Sequence, residues 1–145
     1  MFQESTGMVH SFESGSSVDG PGIRSVVFLQ GCPLRCKYCH NPDTWNIAEG
    51  KKLSINEITK KILPYIGFFQ ASGGGVTISG GEPLMQKDFL IDLLKELKKY
   101  DIHITIDTSG HTNIDEKLDE ILEYTDLVLL DIKSLYSHQH EYLTE

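Results

Sequence analysis

The sequence predicts an α/β fold made of parallel βα repeats, about four units long. Three observations carry that prediction. Short apolar runs alternate with amphipathic stretches, the order in which strands and helices follow one another in βα units. The runs are continuously apolar, which suits strands whose sheet is covered by helices. Each run also ends in glycine or polar residues: Gln30-Gly31-Cys32, Ser79-Gly80-Gly81-Glu82, Asp107-Thr108 and Asp131-Ile132-Lys133. In parallel βα folds ligands sit at the C-terminal strand ends. Four such clusters at four equivalent places therefore mark a candidate site, although each alone would read as turn chemistry.

Ser25–Gln30 is the first predicted strand. Ser54-Ile55-Asn56-Glu57 has the form of a capping box, with the serine hydroxyl on a backbone N–H and the glutamate reaching back. It opens a helix with Ile55, Ile58 and Ile62 on one stripe, which Pro64 interrupts. Gly75–Ser79 is the next strand. Asp88–Tyr100 follows as a helix, with Phe89, Leu90, Leu93, Leu94 and Leu97 at helical spacing and lysines toward its C-terminal end. His103–Asp107 is a third strand, Ile114–Tyr124 an acidic helix with Leu118, Ile121 and Leu122 inward, and Leu127–Ile132 a fourth strand. One more helix starts at Ser137. No repeat of fixed period and no low-complexity tract interrupts this order, so one domain, residues 1–145, is expected.

Charge and composition narrow the function. The 145 residues carry a net charge of −8 and two arginines, Arg24 and Arg35, which argues against a nucleic-acid partner. Hydrophobic residues at 39% suit a folded domain with a core of its own. No run reaches the ~18–20 apolar residues of a membrane span. Met1–His10 shows no basic stretch followed by an apolar one, so no export signal is read and the cytoplasm is the expected compartment. Thiols stay reduced there, and clustered cysteines then point to metal binding or catalysis.

All three cysteines fall within eight residues, Cys32-Pro-Leu-Arg-Cys36-Lys-Tyr-Cys39. Three thiolates on one loop can hold one metal centre. A closed zinc site wants four ligands, and His40 is available, although its place next to Cys39 makes joint ligation awkward. That reading gives a non-catalytic zinc-binding adaptor. A 4Fe-4S cluster also takes four thiolates as a rule. With three, one iron is left without a protein ligand and is free to bind a substrate.

The cysteine triplet, followed one strand later by Gly80-Gly81-Glu82-Pro83, resembles the pattern of radical S-adenosylmethionine (SAM) enzymes. Val18-Asp-Gly-Pro-Gly-Ile-Arg24 and Tyr38-Cys-His-Asn-Pro-Asp-Thr-Trp45 are similar to the activating enzymes of glycyl-radical enzymes, above all the branch acting on pyruvate formate-lyase. Further matches at His10–Ser14, Ala71–Thr77 and Leu130–Lys133 extend the resemblance almost end to end.

The resemblance implies a partial TIM-like barrel of the (β/α)6 type and a radical SAM oxidoreductase. Cys32, Cys36 and Cys39 would ligate the cluster. Gly80, Gly81 and Glu82 would line the methionine end of SAM, and Tyr38, His40 and Asn41 would lie beside SAM or substrate. Asp107, Thr108 and Asp131 would hold a monovalent cation, and Asp19 and Lys133 would lie near the substrate. Reductive cleavage of SAM would yield a 5′-deoxyadenosyl radical that abstracts a glycine hydrogen from the partner. The implied partners are pyruvate formate-lyase and a flavodoxin-type one-electron donor, and the implied state is a monomer. The alternative is the anaerobic ribonucleotide reductase activase, a chain of similar size, or another glycyl-radical activase. Family members usually hold more βα units, and Tyr142-Leu-Thr-Glu145 reads as an interrupted helix, so a chain lacking its C-terminal part is expected.

Overall fold

The structure, a computed structural model, describes residues 3–145. Its strands are β1 (Thr6–Ser16), β2 (Arg24–Leu29), β3 (Lys51–Ser54), β4 (Gly75–Gly80), β5 (His103–Thr108) and β6 (Leu127–Leu130). Its α-helices are α1 (Ile55–Ile62), α2 (Ile66–Ser72), α3 (Lys87–Lys98), α4 (Glu116–Glu123) and α5 (Ser137–Thr144). The strands form one open sheet in the order β3-β1-β2-β4-β5-β6. β2, β4, β5 and β6 are parallel, whereas β1 pairs antiparallel with both β2 and β3. The α/β class is as the sequence predicts, and the open sheet is part of a barrel. No helix among the described residues is long and apolar enough to cross a membrane.

The four parallel strands are those read from the sequence; β1 and β3 are not. β1 contains Gly7, His10, Ser11, Glu13, Ser14 and Gly15, a composition without strand signal, and the ladders to β2 and β3 make it a strand. β3 is a short polar edge that runs directly into the capping box. That box is present in full: Ser54 Oγ accepts from the Glu57 N–H, and the Glu57 carboxylate accepts from the Ser54 N–H. Pro64 does interrupt the helix, but a 3-10 turn at Leu63–Tyr65 carries the chain on into α2, a second helix not expected from the local sequence.

Two faces of the sheet have different work. Val27, Leu29, Val76, Ile78, Ile104 and Ile106 pack against Ile58 and Ile62 of α1 and Leu90, Leu93, Leu94 and Leu97 of α3. The strand period of 2 and the helix period of 3.6 bring these residues together. The alternate positions, Arg24, Val26, Thr77, Ser79, Thr105 and Asp107, face the other way. The segment 17–23 lies across that inner face: the Asp19 carbonyl accepts from Thr77 Oγ1 at 2.6 Å, and Gly20 lies against Arg24 and Thr105.

Arg24 closes the N-terminal end of this face and has no exposed surface. Its guanidinium donates to Thr77 Oγ1 (2.7 Å) and to the carbonyls of Pro21 (2.9 Å), Val76 (2.9 Å) and His103 (3.2 Å). It also lies 3.1 Å from Nδ1 of His103, which accepts when the ring is neutral. Burial, then the Arg24 charge, pushes the His103 pKa down, with Lys98 adding to the effect and Asp126 opposing it.

Glu82 does the matching work at the C-terminal end, and it too is buried. One carboxylate oxygen accepts from Thr108 Oγ1 (2.5 Å) and the Leu84 N–H (3.1 Å). The other accepts from the Ser109 N–H (3.0 Å) and Oγ (2.6 Å). The carboxylate thus ties the end of β4 to the end of β5.

Two outcomes follow from these buried groups. His103 titrates lower in the folded chain than in the unfolded one, so its stabilisation is complete above about pH 6.5 and is lost as the pH falls through the folded value. Thermal melts from pH 8 to pH 5 should therefore show a steeper acid decline for the wild type than for His103→Gln, which keeps an acceptor that does not titrate; identical profiles would remove His103 from the account. Glu82→Gln places an amide donor against the Ser109 donors and should cost about 2 kcal/mol in urea denaturation, whereas an unchanged midpoint would show that the four bonds carry no net stability.

Candidate cofactor site

A cavity of about 290 Å³ opens at the C-terminal ends of the parallel strands. Its walls come from the loop after β2 and from the ends of β4, β5 and β6. Cys32, Cys36 and Cys39 line it from the β2 side, with Tyr38, His40 and Asn41. Gly80 and Gly81 line it from β4, Asp107 and Thr108 from β5, and Asp131 and Lys133 from the segment after β6. These elements are far apart in sequence, and the parallel register brings their ends to one level.

Two residues expected at the site lie outside its lining. Glu82 follows Gly81 directly, but its carboxylate is turned into the Thr108–Ser109 backbone and is spent there. Asp19 lies in the segment across the inner face, with its side chain accepting from Ser16 Oγ. Its charge still reaches Asp107. Leu34, Thr44, Trp45 and Ser109 also line the cavity. Ser109 sits one residue past the Asp107-Thr108 strand end, and that position was the available signal for it.

The β4 turn is shaped for close approach. Gly80 has φ +117°, and a Cβ there would lie 2.2 Å from the Leu29 carbonyl oxygen. A Cβ on Gly81 would lie 2.2 Å from the Gly31 carbonyl oxygen and 3.1 Å from Cβ of Cys32. The turn is also bonded to the start of the cysteine loop. The Gly81 N–H donates to Leu29 O (3.0 Å), and the Glu82 N–H donates to Gly31 O (2.8 Å). Below it, the Gln30 side chain donates to the Asp43 and Asn46 carbonyls at 2.6 and 2.9 Å, which holds the segment after the cysteines. His10, which the sequence left without a role, bonds Asp43 at 2.7 Å in the same segment.

The electrostatics set sulfur against oxygen. All three cysteines are free thiols, and Cys36 is buried. Burial pushes the Cys32 thiol up, and Glu82 and the other two cysteines add to it. Burial also pushes Cys36 up, against the pull of Lys133. Thiols held protonated in this way give up their protons when a metal takes them as ligands. Across the cavity, burial pushes the Asp107 carboxyl up; the Ser79 hydroxyl, donating at 2.9 Å, opposes this, and Asp131, Asp19 and Glu82 reinforce it. Lys133 bonds Asp131 and stands 5.4 Å from the centre of the Tyr38 ring. Burial is the largest effect and lowers its pKa, but the Asp131 bond together with the charges of Asp131, Cys36 and Tyr38 outweighs it and holds the amine above the usual lysine value.

The donor set fits an iron–sulfur group. A single tetrahedral zinc with bonds of 2.3 Å would draw its thiolates to within ~3.8 Å of one another. Among the described residues no three His, Cys, Asp or Glu side chains are gathered around one ion position. The thiols instead share the wall of a wider cavity, opposite a glycine turn with room for a ligand and carboxylates that suit an ammonium group or a hard cation.

Comparison with known proteins gives the same answer by another route. The chain is 56% identical over 138 residues to the pyruvate formate-lyase-activating enzyme of Clostridium pasteurianum, covering 95% of this chain and 57% of that protein. It is 52% identical over 144 residues to the enzyme of that name from Staphylococcus epidermidis, again 95% of this chain and 57% of the relative. The counterpart in Listeria monocytogenes is 50% identical over 146 residues, covering 97% and 59%. The chain thus spans somewhat more than half the length of the curated relatives it matches. Among solved structures, QueE from Escherichia coli has the same fold, with a TM-score of 0.56 over 85% of this chain and 69% of that one, at 20% identity. The family model described as "4Fe-4S single cluster domain" matches residues 18–144. That span holds the three thiols, the glycine turn and the acidic strand ends, and the chain belongs to the 4Fe-4S single cluster domain family.

Proposed function

We propose that residues 1–145 form the cofactor-bearing domain of an activating enzyme for pyruvate formate-lyase, working through a 4Fe-4S cluster and SAM. The observation that carries this reading is the placement of three free thiols on one wall of a cavity, facing Gly80 and Gly81. The names of the relatives favour this branch over the anaerobic ribonucleotide reductase activase and over a zinc-binding adaptor. A flavodoxin-type donor, a monomeric state and a cytoplasmic location complete the proposal.

Cys32, Cys36 and Cys39 would hold the cluster, and three ligands leave one iron for a small molecule. When bound, the cluster and SAM supply the one-electron chemistry that generates a hydrogen-abstracting radical. The residues of this chain orient and shield it. Gly80 and Gly81 line the cavity with backbone alone, so the carbonyls of this turn can accept from an ammonium group. Lys133, bonded to Asp131 and close to Tyr38, offers a cation for a carboxylate. The raised Asp107 carboxyl lies beside Asp131, so a monovalent cation between them would relieve their repulsion. Tyr38 and Trp45 provide flat apolar surface that keeps water from the reacting atoms. The cavity is open on one side, as a substrate backbone glycine requires if it is to enter as an extended loop.

Four measurements test the reading. Anaerobic reconstitution should give brown protein with about four irons per chain; colourless protein with a single zinc would refute it. Each of Cys32→Ser, Cys36→Ser and Cys39→Ser should lose most of that iron while keeping the far-UV circular dichroism of the wild type, and a variant with full iron would remove that cysteine from the ligand set. Gly81→Val drives a Cβ to 2.2 Å from the Gly31 carbonyl oxygen and 3.1 Å from Cβ of Cys32, so it should displace the start of the cysteine loop and lose most of its iron together with SAM binding in equilibrium titration; full iron and unchanged affinity would show that this contact does not position the site. The reduced protein with SAM should produce a glycyl-radical EPR doublet on pyruvate formate-lyase, and a doublet on the anaerobic reductase alone would favour the alternative.

A further inference from the structure

The loop that carries the cysteines has no regular secondary structure between Gln30 and Asn41. Its backbone polar groups must find partners elsewhere, and where they go decides where the thiols stand. Two amides between the cysteines find them more than 100 residues further along the chain. The Arg35 N–H donates to Thr144 O at 2.6 Å, and the Lys37 N–H donates to Leu143 O at 2.9 Å. One lies between Cys32 and Cys36, the other between Cys36 and Cys39. Both acceptors are main-chain carbonyls of α5.

Side chains reinforce the contact. The Lys37 ammonium stands 3.5 Å from the centre of the Tyr142 ring and 3.1 Å from a Glu145 carboxylate oxygen. Thr144 is buried and turns its hydroxyl back to the His140 carbonyl at 2.8 Å. On the other flank the Arg35 guanidinium donates to Cys32 O (2.5 Å) and Leu34 O (2.8 Å) and lies over the Trp45 ring. Cys36, the most buried of the three thiols, is thus bracketed by two amides that α5 holds.

We propose that α5, through its Leu143 and Thr144 carbonyls, is a positioning element for the cysteine loop, holding the backbone on both sides of Cys36 in place before any iron arrives. The inference rests on the reading of the cysteines as cluster ligands, but its structural half stands without iron. A loop left free would lose conformational entropy on binding, and a loop already held loses less. α5 therefore acts on how readily the site is filled and how long it stays filled.

The test uses the whole chain with two variants. Thr144→Pro forces Leu143 toward extended backbone and displaces both acceptors. Tyr142→Ala/Glu145→Gln keeps the helix and removes the side-chain ties to Lys37. In iron-free protein, hydrogen exchange at the Arg35 and Lys37 amides should accelerate about tenfold in Thr144→Pro, the factor that one backbone hydrogen bond of ordinary net strength confers. Alkylation of Cys36 should accelerate with it. Amides of β2 and β4, such as Val27 and Ile78, should keep their protection, which separates the effect from general unfolding. After reconstitution both variants should lose iron to a chelator faster than the wild type, the double variant less so. Unchanged exchange at Arg35 and Lys37 in Thr144→Pro would overturn the clamp. Faster exchange with unchanged iron loss would overturn its role in holding the cluster. A wild type that takes up no iron, with the exchange difference intact, would instead refute the reading of the cysteines.

Discussion

Two stretches of backbone meet at the mouth of this fold, and the site depends on that meeting. Gly80-Gly81 at the end of β4 lies against Leu29 to Cys32 at the end of β2, with the Gly81 and Glu82 amides on the Leu29 and Gly31 carbonyls. The approach is so close that a Cβ on either glycine would fall 2.2 Å from a carbonyl oxygen. Because the two strands are parallel neighbours, the contact sets the level at which the cysteine loop leaves the sheet. It also puts the thiols opposite a backbone free of side chains. Widen it, and the thiols and the turn face different spaces.

Buried charge holds the sheet at both ends around that contact. Arg24 joins β2, β4 and β5 at their starts through four carbonyl or hydroxyl acceptors and one histidine nitrogen. Glu82 joins β4 to β5 at their ends through four donors. Among the described residues neither charge has an ion-pair partner; each is satisfied by a fan of neutral groups. Removing any one of these groups would leave a buried charge short of a bond, and that asymmetry makes such networks rigid. Rigidity suits a site whose cofactor needs several groups at fixed spacing.

The cysteine loop is where this rigidity has to be borrowed. Gly31 and Cys32 take their bonds from the segment at Thr44 and Trp45, which Gln30 and His10 hold in turn. Arg35 and Lys37 take theirs from α5. The loop therefore records the position of β1, of the following 3-10 turns and of a helix near residue 144. Asp107, Asp131 and Lys133 arrive from yet other strands, so the charge balance across the cavity is set by sheet order as much as by composition.

Local patterns were enough to read the four parallel strands, the capping box at Ser54, the break at Pro64 and the polar strand ends that became the cavity wall. Each is written within a few neighbouring residues, by apolar continuity, a cap or a missing N–H. The cysteine spacing and the glycine turn were legible for the same reason. β1, β3 and α2 were not, because ladder partners and packing make them, and those partners lie elsewhere in the chain. The direction of the Glu82 carboxylate was equally hidden. Next to Gly81 it reads as a ligand, and only the arrival of Thr108 and Ser109, 26 and 27 residues on, turns it into a tie between strands. Composition and spacing determine which chemical groups this protein owns. Tertiary structure alone decides which of them face the cavity and which are spent holding it, because a hydrogen-bonding group has few bonds to give and the fold brings the competing partners.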